Sequence, residues 1–317
     1  MDVNGMPWLD ETPWRAAPPK HARGMPAWSL PAEGYSSGPL PASLCDDIVP
    51  SWAWGGADGQ GVRVCVLDSG VDGTHRLVAP VERAWEVVTV EGRAPRVEEC
   101  APQDAAGHGT ACAGIIRSVA PRASISSVKV LADGRSGSAG ALLAGLTFAI
   151  NEGFDIVNMS LSTARPEFRS PLAELCDRAY FRRTTLVVAA HNLPIQSFPW
   201  NFASVISVAS HAEPDALSYY YNARPPVEFH ARGVQVEVAS PGGGTSRNSG
   251  NSFAAPHLAG IAALVLSKHR WLTPFQLKNV LYHCAANVST EGAGSGSDSV
   301  DTSQEGVGNG VLFPRTT

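Results

Sequence analysis

Three side chains able to support nucleophilic catalysis are spread along the sequence, each within two residues of a glycine: Asp68, His108 and Ser252. A serine hydroxyl is a weak nucleophile and needs a base within hydrogen-bond reach. His108 could take the proton of Ser252, and Asp68 could hold the imidazole in one tautomer and stabilise its charged form. The three residue types together therefore predict an acyl-transfer site, provided that the fold brings them into contact.

Ser252 lies in the segment NSGNSFAAPH, residues 248–257. Gly250 allows a tight backbone turn before the serine, and the apolar run 258–266 that follows is typical of a buried helix. A serine at such a junction can project its hydroxyl into a cleft, while the amides of the first helical turn are free to bind an anion.

Asp68 ends the β-branched run VRVCVLD, and His108 stands between glycines at the start of a small-residue segment predicted to be helical. The run predicts a buried parallel strand with Asp68 at its carboxyl end, where open α/β sheets place their ligand sites. Considered alone, Asp68 would more often be an aspartate that caps a turn, and His108 would more often be a structural histidine. Cys112, which shares a helix face with His108, is by the same standard a small core residue.

Strands alternate with helices over the rest of the chain. This alternation predicts an α/β fold with a doubly wound, mostly parallel sheet and helices on both faces. The predicted strands are 62–68, 124–131, 154–161, 185–190, 205–209 and 234–239, and the further helices are 139–152, 171–182 and 273–284. Asn192 follows the fourth strand at its carboxyl end, on the same side of the sheet as Asp68.

The composition restricts the class of protein. With 44% hydrophobic and 17% charged residues, the 317-residue chain can bury a large core, and its net charge of −5 gives no reason to expect nucleic-acid binding. No apolar run approaches membrane-spanning length and the first 30 residues lack a signal-peptide core, so we expect a cytoplasmic protein without membrane partners. Six scattered cysteines suit free thiols in a reducing compartment, although disulfides remain an alternative.

Two segments differ from the rest in composition. Residues 1–42 are rich in proline, contain Trp8, Trp14 and Trp28, and predict an extension to a single domain, 43–317. Residues 289–310 are rich in glycine, serine and acids and predict a loose segment within that domain. The extension is either an inhibitory segment that lies in the cleft or an arm that packs on a surface.

Five segments carry a family resemblance: VLDSGVD at Asp68, GHGTACAG at His108, VNMSLS at 157–162, VVAAHN at 187–192 and GNSFAAPHLAG at 250–260. Over about residues 45–290 the chain resembles the subtilisin-like serine peptidases, the subtilase family, in which the triad has the order Asp, His, Ser. The resemblance implies a serine endopeptidase that forms an acyl-enzyme. It also implies that Asn192 and the Ser252 N–H stabilise the oxyanion.

The resemblance extends to the substrate site. Ser160, Leu161 and Ser162 match the segment that pairs with the substrate backbone and lines the first specificity pocket. The segment that contains Gly134, Arg135 and Gly137 matches the opposite edge. An extended peptide or protein substrate would then lie between the two edges as an added β-strand.

The chain departs from the family pattern at the first specificity pocket. Ser162 and His191 occupy positions that are glycine in the family, so we expect a narrower or more polar pocket that does not favour large aromatic side chains. His191 and Arg135 together would favour an acidic or polar side chain. Asn251 replaces the usual threonine before the nucleophile, which leaves open whether its side chain donates to the oxyanion.

A shortened segment bears on metal binding. Many subtilisins carry a calcium loop inside the helix that follows the catalytic histidine, whereas residues 114–121 here run on directly. Calcium prefers six or more oxygen ligands, and no Asp/Asn cluster of that kind follows. We therefore expect no cofactor and no tight calcium at this place, with weaker calcium sites elsewhere left open.

Three functions remain to be distinguished. The first is a serine endopeptidase, either general or dedicated to peptide maturation by leader removal. The second is a transpeptidase or macrocyclase that passes the acyl group to an amine, which requires water to be excluded. The third is a catalytically silent peptide-binding module. The complete triad and Asn192, without a long inserted lid, favour hydrolysis.

Overall fold

The structure, a computed structural model, describes residues 48–90, 92–131, 137–224 and 226–288. The predicted extension 1–42 and the segment 289–310 lie outside these ranges. So do Gly134 and Arg135, which were predicted to form one edge of the substrate site.

A nine-stranded sheet forms the centre of the described fold, in the order β3-β2-β4-β1-β5-β6-β7-β9-β8. The seven inner strands of this order, which begin with β2 and end with β9, all pair in parallel with one another. The two edge strands are antiparallel to their neighbours: β3 to β2, and β8 to β9. The bounds are β1 Arg63–Asp68, β2 Ala84–Val88, β3 Arg96–Glu99, β4 Ser124–Lys129, β5 Ile156–Met159, β6 Thr185–Ala189, β7 Ile206–His211, β8 Tyr219–Tyr221 and β9 Phe229–Arg232. The predicted mostly parallel sheet is confirmed.

Helices cover both faces of this sheet. Their bounds are α1 Pro50–Trp54, α2 His108–Val119, α3 Ala139–Asn151, α4 Arg169–Phe181, α5 Asn251–Lys268 and α6 Pro274–His283. Successive side chains of a strand point to opposite faces, and β1 follows this rule. Val64 and Val66 pack in the core that contains α2 and α5, whereas Cys65 and Leu67 pack in the core that contains α3 and α4.

Strands β2, β3 and β4 lie on one side of β1, and strands β5 to β9 lie on the other side. The strand order therefore reverses between β4 and β5. Such a switch point leaves a crevice outside the carboxyl ends of the strands, and ligands of open α/β sheets bind there. Asp68 is the last residue of β1, and Ser160 follows β5 directly. Both predicted site residues therefore lie at the switch point.

Two predictions about single elements need correction. Residues 234–239 were predicted as a strand of the parallel sheet, but β10, Val236–Ala239, pairs with β11, Thr245–Asn248, in a separate antiparallel hairpin. Helix α5 begins at Asn251, before the apolar run, because the small residues after Gly250 also take helical conformation. Among the described helices, none is both long enough and apolar enough to cross a bilayer.

Candidate active site

The buried carboxylate of Asp68 and the ring of His108 form a hydrogen-bonded pair at the carboxyl end of β1. Oδ1 of Asp68 lies 2.8 Å from Nδ1 of His108 and also accepts the N–H of Ser69 at 2.7 Å. Because the carboxylate only accepts, Nδ1 carries the proton and Nε2 is left as the acceptor. The negative charge of Asp68 raises the pKa of His108 above its ordinary value.

A second carboxylate, that of Asp104, binds the start of helix α2, the helix that begins with His108. Its oxygens accept the N–H groups of Ala106, Gly107 and Thr110 and the hydroxyls of Thr110 and Ser69. Free N–H groups at a helix start favour a negative charge, which accounts for this position. Asp104 was not predicted as a site residue, although an acidic residue four positions before His108 is visible in the sequence.

Ser252 is the second residue of helix α5 and lines the same cleft as His108. The ring of the next residue, Phe253, lies 5.7 Å from the His108 ring, which brings the two helix starts into contact. Within the described residues, no hydrogen bond joins the Ser252 hydroxyl to the histidine. Catalytic hydrogen bonds are often long until substrate binds, so this geometry is compatible with proton transfer.

The carbonyl of Ser252 is held from outside its own helix. Pro256 has no N–H, so the usual helical bond from residue 256 to the carbonyl of Ser252 is missing. The hydroxyl of Ser160 donates to this carbonyl at 2.8 Å, and the Cys112 sulfur lies 3.5 Å from it. Nδ2 of Asn158 in turn donates to the Ser160 oxygen at 3.2 Å. The network ties the end of β5 to the predicted nucleophile.

Two donors are available for an oxyanion beside Ser252. Oδ1 of Asn192 accepts the Asn251 N–H at 2.9 Å, which leaves the Nδ2 group of Asn192 free to donate. The Ser252 N–H lies in the first turn of α5, where the helix supplies no carbonyl four residues earlier. Asn192 is exposed and lines the cleft together with Ser252.

The side chain of Asn251 does not supply a further oxyanion donor. Its Nδ2 group donates to the carbonyls of Ala190 and His191 at 3.2 and 3.3 Å, and its Oδ1 accepts both donors of Ser210. The sequence left open whether the Asn251 side chain donates to the oxyanion. It does not, because both N–H bonds of its amide point to backbone carbonyls.

The cleft has a volume of about 1110 Å³ and contains most of the predicted substrate-site residues. Those that line it are Gly137, Ser160, Leu161, Ser162 and His191. The main chains of Thr163 and Phe198 exchange two hydrogen bonds of 2.9 Å, and this pairing fixes the segment that follows Ser162. His191 bends back on its own loop, since its Nδ1 accepts the Leu193 N–H at 3.0 Å.

Arg165, which was not predicted as a site residue, also lines the cleft. Its guanidinium lies 2.6 Å from Glu167, and the two side chains are 65% and 53% exposed, so solvent screens this ion pair strongly. Among the described residues that line the cleft there is no carboxylate. An arginine in a surface loop carries no periodic signal, so only the fold could place it.

One group of potential metal ligands exists among the described residues. Asp68, His108 and Cys112 each offer one donor atom, and these atoms lie within 4.8 Å of one another. Two of the three are already joined by the Asp68–His108 hydrogen bond. Burial raises the pKa of the Cys112 thiol well above its ordinary value, so the thiol lacks the ionised form that binds metals.

Comparison with known proteins identifies the family. The profile of the subtilase family matches residues 59–310. Subtilisin E of Bacillus subtilis (strain 168) is 32% identical over 259 residues, an alignment that spans 76% of this chain and 65% of subtilisin E. Thermitase of Thermoactinomyces vulgaris is 31% identical over 231 residues, spanning 69% of this chain and 79% of thermitase.

A solved structure agrees with the sequence relatives. The crystal structure of a cold adapted subtilisin-like serine proteinase matches with a TM-score of 0.60 and 28% identity, over 74% of this chain and 86% of that one. The chain therefore belongs to the subtilase family of serine endopeptidases.

Proposed function

We propose that the chain hydrolyses peptide bonds with Ser252 as the nucleophile, His108 as the general base and acid, and Asp68 as the group that orients His108. The single observation that carries this proposal is the 2.8 Å Asp68–His108 hydrogen bond at a cleft that Ser252 and Asn192 also line. A histidine held in this tautomer presents its basic Nε2 to a hydroxyl.

Acylation follows from these positions. Nε2 of His108 takes the Ser252 hydroxyl proton while Oγ attacks the substrate carbonyl carbon, and the carbonyl oxygen becomes an oxyanion. Nδ2 of Asn192 and the N–H of Ser252 donate to that oxygen. The C–N bond then breaks, the imidazolium gives its proton to the departing amine, and an ester to Ser252 remains.

In deacylation, water is the nucleophile and the Ser252 oxygen is the leaving group. A water molecule loses a proton to Nε2 of His108 and attacks the ester carbon. The C–O bond to Ser252 breaks, and the serine oxygen recovers the proton from the imidazolium. All steps use side chains, backbone groups and water, so we propose that the reaction needs no cofactor. We also propose that the segment after His108 holds no tight calcium, because residues 114–121 run on directly without a calcium loop, and weaker calcium sites elsewhere stay open.

The substrate is proposed to be an extended segment of a peptide or protein. The main chain of Ser160, Leu161 and Ser162 would pair with it as a neighbouring strand. Gly134, Arg135 and Gly137 would form the opposite edge. Ser162 and His191 place side chains where the family has glycine, which supports a first pocket closed to large aromatic residues.

We propose that this pocket favours acidic or polar side chains. The support is the set of side chains that line the cleft: Arg165 is a cation, His191 is a polar neighbour, and the described lining residues include no carboxylate. Because the Arg165–Glu167 pair is exposed and weak, a substrate carboxylate can compete for the guanidinium.

A restricted pocket suits a peptidase dedicated to peptide maturation, such as leader removal, and we propose that role in the cytoplasm. The cellular part of the proposal is supported by the cysteines. Cys65, Cys100, Cys112, Cys176 and Cys284 are all free, and four of them are buried. Free thiols persist where the surroundings are reducing.

The nucleophile is tested by labelling with a fluorophosphonate, which reacts with activated serines. The wild type should be labelled, and Ser252→Ala should lose both label and peptidase activity. Ser267→Ala, in the same helix but bonded only to the carbonyl of Leu264, is the matched control and should keep both. Labelling of Ser252→Ala at the wild-type rate would overturn the assignment.

The pocket is tested with substrates that differ only in Glu or Gln at the position before the scissile bond. We expect the wild type to prefer Glu, Arg165→Gln to lose that preference, and Glu167→Gln to increase it. A wild-type preference for Phe or Tyr over both would reject the proposed pocket, whatever the variants do.

A further inference from the structure

We infer that the carboxamide of Asn251 is a positioning group for the oxyanion site, which it serves by joining the ends of β6 and β7 to the start of α5. This inference rests on the proposed function of Asn192 and Ser252. It differs from the role that the sequence suggested, because Asn251 would act through Asn192 and not on the substrate.

The first observation is that every hydrogen-bonding position of the Asn251 amide is occupied. An amide offers two N–H donors and an oxygen with two lone pairs. Oδ1 accepts the N–H and the hydroxyl of Ser210, both at 2.9 Å. Nδ2 donates to the carbonyls of Ala190 and His191. One side chain thus connects β7 to the chain that leaves β6.

The second observation is that Asn251 holds Asn192 from two directions. Nδ2 of Asn251 bonds the carbonyl of His191, which belongs to the peptide unit that precedes Asn192. The backbone N–H of Asn251 bonds Oδ1 of Asn192 at 2.9 Å and thereby decides which end of that amide is free to donate. Both the backbone and the side chain of Asn192 are therefore fixed relative to Ser252.

The chemical requirement follows from these bonds. An oxyanion donor must stand within about 0.5 Å of its productive position to be effective. Asn251→Leu keeps the approximate volume but removes all four bonds. Asn251→Asp keeps the oxygen that faces Ser210, but it turns a second oxygen toward the carbonyls of Ala190 and His191 and repels them. Either change should loosen the chain before Asn192.

The experiment is a double-mutant cycle between Asn251 and Asn192, measured by kcat and KM on one peptide. Asn192→Ala should lower kcat about 10²- to 10³-fold, the range known for loss of such a donor in subtilisin. Asn251→Leu should lower kcat about 10-fold or more with KM changed less than about threefold, as expected for an interaction made only in the transition state. In the Asn192→Ala background, Asn251→Leu should cost less than about twofold.

The outcomes separate this inference from the proposed function. If Asn192→Ala impairs kcat and Asn251→Leu does not, or if the two effects multiply, the positioning role is wrong while the proposed function stands. If Asn192→Ala has no effect on kcat, the oxyanion assignment itself fails. Thermal denaturation identifies any unfolded variant, and Asn251→Asp replaces Asn251→Leu if the latter does not fold. Asn287→Leu, which removes an amide bonded to Tyr221 outside the cleft, is the control and should leave kcat unchanged.

Discussion

Ser160 donates its hydroxyl to the carbonyl of Ser252 at 2.8 Å, and this carbonyl is the one that Pro256 leaves without its helical partner. The Ser252 carbonyl lies in a part-buried place, where leaving it without a hydrogen bond costs free energy, and the hydroxyl of Ser160 supplies the missing bond. The consequence is a direct bond between the segment proposed to bind substrate and the proposed nucleophile.

Ser160→Ala should therefore affect both stability and catalysis. We expect a loss of about 1 kcal/mol in the free energy of unfolding, the usual size for one hydrogen bond. We also expect a lower kcat, because the first turn of α5 is held less firmly. Chemical denaturation and steady-state kinetics measure the two effects. Ser118→Ala is the control. It also removes a serine hydroxyl, but one that donates only to the carbonyl of Ile115 in its own helix and not to Ser252. Unchanged kcat in Ser160→Ala would argue against the link.

Asp68→Asn should change the pH dependence as well as the rate. The charge of Asp68 raises the pKa of His108, and His108 must be neutral to act as a base. The acid limb of the wild-type kcat/KM profile should therefore lie above pH 6.5, the ordinary value for histidine. The variant should lose about 10⁴-fold in kcat, and its remaining activity should rise at a lower pH than that of the wild type. An acid limb at the same pH in both proteins would contradict the proposed charge interaction.

His257 should make the fold sensitive to acid. Burial lowers the pKa of this histidine to about 4, from an ordinary value of 6.5. Above pH 6.5 the ring is neutral in the folded and unfolded states, so it contributes no pH dependence. Between pH 6.5 and 4 only the unfolded state binds the proton, and stability falls as pH falls. A difference of 2.5 pKa units corresponds to about 3 kcal/mol in total.

The measurement is the free energy of unfolding of wild type and His257→Gln between pH 7 and pH 4. The variant should show the smaller decrease over this range, since glutamine does not titrate. Parallel curves for the two proteins would show that His257 is not responsible for the acid sensitivity.

Gly109→Ala should disrupt the Asp68–His108 pair. A Cβ atom on Gly109 would lie 2.0 Å from the carbonyl oxygen of Gly70 and 3.1 Å from Cβ of Asp68, so one of these groups must move. We expect a loss of about 1–3 kcal/mol in stability and a lower kcat. Gly114→Ala in the same helix is the matched control, because its Cβ would first meet Ala239 at an ordinary 3.4 Å. Equal effects of the two substitutions on kcat would contradict the explanation.

The alternation of apolar strands and helices was predictable because hydrophobic periodicity is local. The strands predicted at 62–68, 154–161 and 185–190 correspond to β1, β5 and β6, which the structure places side by side in parallel. The edge strands were not predicted. β3 and β8 are short and partly exposed, so their pairing depends on neighbours that are distant in the chain.

The sequence by itself determined the chemistry available to this protein, since the residue types and the glycines around Asp68, His108 and Ser252 are local features. Only the tertiary structure decided which way the Asn251 amide points and that Arg165 lines the cleft. The physical reason is that both depend on partners that the chain brings together only on folding: Ser210 and the end of β6 for Asn251, and the walls of the cleft for Arg165.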